Sequence, residues 1–254
     1  MRLPSPSSVL RSARRVSRAG TMDKVYNSID EAMADIPYGA SLAISGFFTA
    51  GTPVHLIRAL ARQGAKDLTL ICQQVGPGNE DLTKLVLQGQ VKKAVCTYPF
   101  YRSVTRGANS AFEKAVRDGK IELEVYPMGT FIEKLRAAGA GLAGFYTPTG
   151  VGTVVETGKE KRVFNGREYL LETALKPDYA LVYAWKGDHT GNLVCRKTAR
   201  NYSPEMAAAA RITIASVEEI VEPGELDPDK VHIPGIYVQR VVKVDRQDYI
   251  PTID

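Results

Sequence analysis

No stretch of the 254-residue chain holds the roughly 18 consecutive apolar residues that a bilayer-spanning helix requires. Cysteine is scarce as well: Cys72, Cys96 and Cys195 are odd in number, widely spaced and in no C-x-x-C pair, which excludes a disulfide framework and a zinc knuckle. The three histidines, His55, His189 and His232, show no metal-ligand spacing and read as surface or turn residues. There is no G-x-S-x-G nucleophile turn, no internal repeat and no low-complexity tract. These gaps leave a reducing, cytoplasm-like compartment and a chemistry without a resident metal.

Acidic residues are missing from residues 1–22, which hold Arg2, Arg11, Arg14, Arg15 and Arg18 among several serines. Setting those five aside from 33 Lys and Arg leaves 28, equal to the 28 Asp and Glu, so the net charge of +5 belongs to this leader. The body is neutral, and nucleic acid is not an expected partner. Two readings of the leader stay open: a mitochondrial transit peptide, which would place the protein in the matrix, or a start site upstream of the true one at Met22. Either way residues 1–22 are expected to lie outside the fold, and residues 23–254 to form one domain.

From Met22 onward short apolar runs alternate with amphipathic stretches. Strands are expected near 41–47, 67–74, 92–98 and 122–126, with helices over 53–63, 80–88, 109–118 and 130–138 between them. Successive β-then-α units imply an α/β fold: an open, mostly parallel sheet with right-handed crossovers and helices on both faces. The C-terminal half adds a β-hairpin around Asn165-Gly166 and strands near 178–185, 191–195, 212–221 and 238–244. Ser203 and Pro204 read as the N-cap and first residue of a helix running to Ala210.

Two glycine-rich motifs fail on context. Gly139, Gly141 and Gly144 spell G-x-G-x-x-G but follow a helical segment, whereas a dinucleotide fingerprint follows a strand. GTVVETGKE, residues 152–160, has the wrong glycine spacing for a phosphate loop and Glu160 where a hydroxyl should hold magnesium.

The segment that carries chemistry is Ser45, Gly46, Phe47, Phe48, Thr49, Ala50, Gly51, ahead of Thr52-Pro53. It follows the first strand of the α/β run, so it sits at the carboxyl edge of the sheet, where open α/β proteins bind ligands. The glycines permit close backbone approach, and the helix starting at Pro53 supplies free N–H groups. Either an anion or acyl-oxygen cradle or a tight βα turn satisfies these features.

This segment resembles the A-subunit signature of the family I CoA-transferases, 3-oxoacid type, with Ser45 in place of the first of two glycines. Residues 121–153, 164–172, 184–201 and 232–242 resemble successive landmarks of the same polypeptide. The resemblance implies CoA transfer between an acyl-CoA, such as succinyl-CoA, and a 3-oxo acid such as acetoacetate or 3-oxoadipate. It implies a ping-pong route on a glutamate of a separate B subunit, within a Ser-Glu-Asn-Gly-like motif that this chain does not contain. It further implies an A2B2 assembly, coenzyme A thioester as substrate and no permanent cofactor. Within it, residues 45–51 bind CoA, and Gln73, Gln74, Met128 and Gly129 face the acyl group or its oxyanion. Relatives often carry Ser-Asn or Asn-Asn at the glutamine pair and Gln at Met128, so these positions bear on which acyl group is taken; core packing is the alternative role for Met128. The competing readings are a sugar-phosphate isomerase and a non-catalytic partner subunit.

Overall fold

The computed structural model describes residues 15–16, 22–76, 80–100 and 110–246. β1 (Arg15–Val16) and β2 (Met22–Asp23) form a small antiparallel pair apart from the main sheet. Then follow β3 (Val25–Tyr26) and α1 (Ile29–Met33), whose N-cap Ser28 accepts the Glu31 N–H at 3.1 Å.

Next comes the βα run anticipated from the periodicity: β4 (Ser41–Ile44), α2 (Val54–Gln63), β5 (Leu68–Cys72), α3 (Glu80–Leu87), β6 (Val91–Cys96), α4 (Ala111–Arg117), β7 (Glu122–Val125) and α5 (Met128–Gly139). The ends have identifiable causes. Gly64 closes α2 at φ +77°, and the Ser110 side chain caps α4 through the Glu113 N–H.

After α5 the chain forms β8 (Gly144–Thr147), β9 (Lys161–Phe164) and β10 (Arg167–Thr173), a separate antiparallel sheet in the order β8-β10-β9. Asn165 and Gly166, at φ 51° and 77°, make the hairpin turn between β9 and β10. Gly139 ends a helix and Gly144 starts a strand, so the G-x-G-x-x-G string runs helix to strand, the reverse of a dinucleotide site. In the 152–160 stretch the Glu156 carboxylate accepts the Gly152 N–H at 2.6 Å, so the loop closes on its own side chain.

The remaining elements are β11 (Tyr179–Asp188), β12 (Leu193–Val194), α6 (Ser203–Ala209), β13 (Ile212–Val221) and β14 (Arg240–Lys243). The main sheet has the order β3-β14-β13-β11-β4-β5-β6-β7, every neighbouring pair parallel, with β12 antiparallel on β11. Both faces are covered, as parallel sheets require. Leu42, Ile44, Leu70 and Ala94 face one core with side chains of α1 to α4, including Leu56 and Phe112. Ala43, Ile71 and Val95 face a second core with Phe131, Leu135 and Met206 of α5 and α6.

Three expectations shift. The first strand stops at Ile44 rather than residue 47, because Gly46 at φ +123° and Phe48 at φ +53° take the backbone out of extended geometry. The cap of α6 is Tyr202, whose carbonyl accepts the Met206 N–H at 3.0 Å, so Ser203 lies inside the helix and Pro204 one position later than expected. β11 is longer than its apolar run. Ile44 of β4 pairs with Leu181, and β11 continues to Asp188 beside β13. The sheet edge therefore has a step, β11 and β13 standing about 23 Å above the end of β4 at ~3.3 Å per residue.

Candidate functional site: the glycine loop at the sheet edge

The loop from Ser45 to Pro53 is tied at its base and folded on itself. The Ser45 N–H still reaches Leu181 O at 3.1 Å, and the Ser45 hydroxyl donates to Gly51 O at 3.0 Å. Phe47 and Ala50 exchange both backbone hydrogen bonds, at 3.0 and 3.1 Å, and the Thr52 hydroxyl donates to Phe48 O at 2.9 Å. Glycine is needed at two places. A Cβ on Gly46 would fall 2.2 Å from Thr52 Oγ1, and one on Gly51 would fall 2.5 Å from Ala199 O. The segment is a tight turn of closely packed backbone.

What the turn leaves over is donor capacity. Among the described residues, the amides of Gly46, Thr49 and Gly51 donate to no acceptor, while Gly46 and Gly51 are buried. Buried amides of this kind suit a ligand oxygen. Beside them, just past the end of β5, lie Gln73 and Gln74, 2% and 4% exposed. The Phe48 N–H points at Gln73 Oε1 across a long 3.5 Å, and the Gln73 carbonyl takes the Thr97 and Tyr98 N–H groups at 3.2 and 3.0 Å. The ends of β4, β5 and β6 are stitched together through this one residue.

Met128 and Gly129 open α5 at the end of β7, on the same edge but two strands from β5, or about 10 Å at the spacing of paired strands. Met128 is 43% exposed, so it is not a core side chain, and a Cβ on Gly129 would meet nothing within 4 Å. Phe47, Tyr98, Val125 and Met128 make this rim apolar and solvent-facing. Behind it, Lys134 and Lys159 flank Glu172; Lys134 Nζ is 3.1 Å from Glu172 Oε2 and 4.4 Å from the centre of the Tyr126 ring. Burial, then the hydrogen bond to Glu124, raises the Tyr126 phenol well above its usual range, so it stays neutral. Lys134 is thereby committed to an internal ion pair rather than to the open edge.

The scattered residues stay scattered. His55 Nε2 lies 3.2 Å from Asp245 O, His189 Nδ1 lies 3.0 Å from Asp23, and His232 Nδ1 accepts the Cys195 N–H at 3.0 Å. No cluster of metal-ligating side chains occurs among the described residues. Cys72 and Cys96, far apart in sequence, are direct partners across β5 and β6, both as buried free thiols. Their mutual hydrogen bond, then burial, raises the Cys72 thiol well above its usual range.

Sequence reasoning missed the rear of the site. Arg196 holds Glu218 with two contacts of 2.8 Å, and Tyr183 donates to the same carboxylate at 2.5 Å. From there a short helical turn, Lys197–Arg200, leads to Asn201, whose Nδ2 donates to Ala50 O at 2.8 Å. Tyr202 packs its ring 6.3 Å from Phe47 and 6.2 Å from Phe131. These residues lie in or beside the 184–201 landmark, but nothing local to that stretch says that it touches residue 50.

Comparison with known proteins gives this geometry its context. The A subunit of succinyl-CoA:3-ketoacid coenzyme A transferase from Helicobacter pylori (strain J99 / ATCC 700824) is 44% identical over 89% of this chain and 94% of its own length. The A subunit of 3-oxoadipate CoA-transferase from Pseudomonas putida is 46% identical over 88% of this chain and 94% of its own. The crystal structure of glutaconate coenzyme A-transferase from Acidaminococcus fermentans superposes with a TM-score of 0.76 at 24% identity, covering 87% of this chain and 76% of that one, a likeness of fold. Residues 26–244 match the family described as coenzyme A transferase, and the chain belongs to that family.

Proposed function

We propose that this chain is the A subunit of a two-subunit 3-oxoacid CoA-transferase, moving CoA from succinyl-CoA to a 3-oxo acid such as acetoacetate or 3-oxoadipate. The observation that carries the reading is the set of unused buried amides at Gly46 and Gly51 next to the buried Gln73, at the sheet edge of a coenzyme A transferase family member. The named activities of the two relatives, at 44% and 46% identity, support the substrate class.

In this reading a B-subunit glutamate attacks the thioester carbonyl of succinyl-CoA. The CoA thiolate leaves and an acyl-glutamyl anhydride forms; the thiolate then attacks the glutamyl carbonyl, succinate departs, and a glutamyl-CoA thioester remains. The acceptor carboxylate runs the same steps in reverse. Each tetrahedral oxyanion needs fixed donors, each worth about 3–4 kcal/mol where measured in other enzymes. Residues Ser45 to Gly51 supply backbone donors to the thioester end of CoA, while Gln73 and Gln74 offer side-chain amides to the acyl carbonyl or carboxylate. Met128 and Gly129 border the acyl group from the β7 side, and the apolar rim with Phe47 and Tyr98 is covered by the B subunit in an A2B2 assembly. Three buried free thiols support a reducing compartment, and no helix among the described residues is long and apolar enough to cross a membrane.

The test is reconstitution. The purified chain alone should show no transferase activity, and addition of its B subunit should restore turnover. Borohydride should trap the thioester on a B-subunit glutamate. Turnover by this chain alone, or a thioester on one of its own glutamates, overturns the division of roles.

A further inference from the structure

We propose that Asn201 is a positioning residue for CoA transfer, holding the glycine loop in register for the reacting carbonyl without touching the substrate; the inference rests on the CoA-transfer reading above. The Asn201 carboxamide is placed to do this. Its Nδ2 donates to Ala50 O and to Thr198 O, both at 2.8 Å, while its Oδ1 accepts the Tyr202 N–H at 2.7 Å.

Ala50 O also accepts the Phe47 N–H at 3.0 Å, so one carbonyl carries both the closure of the turn and its attachment to the rest of the molecule. The two unused buried amides, those of Gly46 and Gly51, lie on either side of this turn. Gly51 is pressed so closely against Ala199 that a Cβ would sit 2.5 Å from its carbonyl oxygen. The support behind Asn201 is rigid in its own right. Arg196 is clamped by Glu218, Lys197 adopts φ +53°, and Tyr202 and Ser203 are buried at 7% and 0% exposure. A loop whose amides must meet a carbonyl oxygen at hydrogen-bond distance is sensitive to small displacements, and a misplacement of about 1 Å can cost on the order of 10²-fold in rate. Asn201 is the side chain that fixes this displacement, because its amide is the hydrogen-bond link from the 196–203 segment to the turn's own carbonyl.

The variants are Asn201→Ala and Asn201→Asp, each assayed in complex with the B subunit. The aspartate keeps the size and the acceptor for the Tyr202 N–H, but as a carboxylate it has no hydrogen to give Ala50 O. We expect kcat to fall about 10- to 100-fold in both, with KM for the acyl-CoA changed less than about threefold, since the interaction serves the transition state. Facing two carbonyl oxygens, the aspartate carboxyl is pushed toward its protonated form, which can donate. The ratio of Asn201→Asp to wild-type kcat should therefore rise at least severalfold from pH 8 to pH 5, a rescue that a packing role does not produce. Amide exchange across residues 45–52 should quicken in both variants, whether or not the B subunit is present. Unchanged kcat, a flat ratio across pH, or unchanged exchange overturns the inference; should the alanine variant fail to fold, the aspartate variant decides. A wild-type complex inactive toward CoA thioesters overturns the CoA-transfer reading and the catalytic part of this inference with it. The exchange arm still decides whether Asn201 anchors the loop.

Discussion

Replacing Gly46 by Ala tests the loop with a single carbon. The backbone there has φ +123°, which L-residues rarely adopt, and the new Cβ would lie 2.2 Å from Thr52 Oγ1, 3.0 Å from its Cα and 3.1 Å from its Cβ. Thr52 cannot simply turn away, because its hydroxyl is engaged with Phe48 O and its backbone Cα, at 3.0 Å, is itself inside ordinary contact distance. Reaching ordinary contact at 3.4 Å requires the two segments to part by about 1.2 Å, on a site where ~1 Å is worth on the order of 10²-fold in rate. The strained φ costs roughly 1–3 kcal/mol and the overpacking about as much again. Gly39→Ala provides the reference: it has φ +77° with no atom within 4 Å of the added Cβ, so it reports the conformational cost without the clash. In the complex with the B subunit, Gly46→Ala should lose about 100-fold in kcat, while Gly39→Ala should lose some thermal stability and keep its turnover. Equal, near-wild-type turnover in both would refute the argument that this backbone is positioned for chemistry.

Other outcomes follow from neighbouring features. Gln73→Leu should reduce kcat by about 10²-fold with a smaller effect on KM if its amide acts on the oxyanion, and a change confined to KM would assign it to ground-state binding. Glu172→Leu leaves the buried Lys134, whose side chain is only 4% exposed, without its carboxylate, and should cost about 3–5 kcal/mol by chemical denaturation. The double variant Lys134→Met, Glu172→Leu should recover much of that loss; equal losses would mean that the stranded charge is not the cause. Burial, then Arg200, depresses the His232 pKa below its usual 6.5. The unfolded chain therefore binds the extra proton first, so the melting temperature should fall as pH drops below about 6.5. His232→Asn should flatten that slope.

How much of this was readable in advance depends on the range of the interaction. The periodic βα run came through because each unit is local: Leu56, Ile57 and Leu60 share one helix face, and all three are buried as that spacing requires. Asn165-Gly166 came through because both residues tolerate positive φ. The glycine loop was visible for the same reason, its need for glycine being written at two positions. Ends of elements are less legible, since the stop of β4 at Ile44 is set by the backbone at Gly46 and Phe48, within a stretch whose strand is expected to run to residue 47. Contacts across the fold left no trace. Nothing local marks Lys134, on a helix, and Glu172, in a strand, as partners; the packing of α5 beneath β10 makes them a buried pair. Asn201 lies at the end of the 184–201 landmark with nothing local to mark its role, because its partner lies 151 residues earlier.

That separation has a consequence in time. Synthesis proceeds at about 5–20 residues per second, so the glycine loop emerges roughly 8–30 s before the asparagine that pins it, 151 residues later. The inner edge of β4 waits almost as long for β11, as shown by Ser41, whose partner Asp178 comes 137 residues afterward. During that interval the early half-molecule carries an unpaired strand edge, Leu42 to Ile44, of the kind that invites the wrong neighbour. Until β11 is made that edge has no native partner to cover it, and the site is completed only as the last third of the polypeptide arrives.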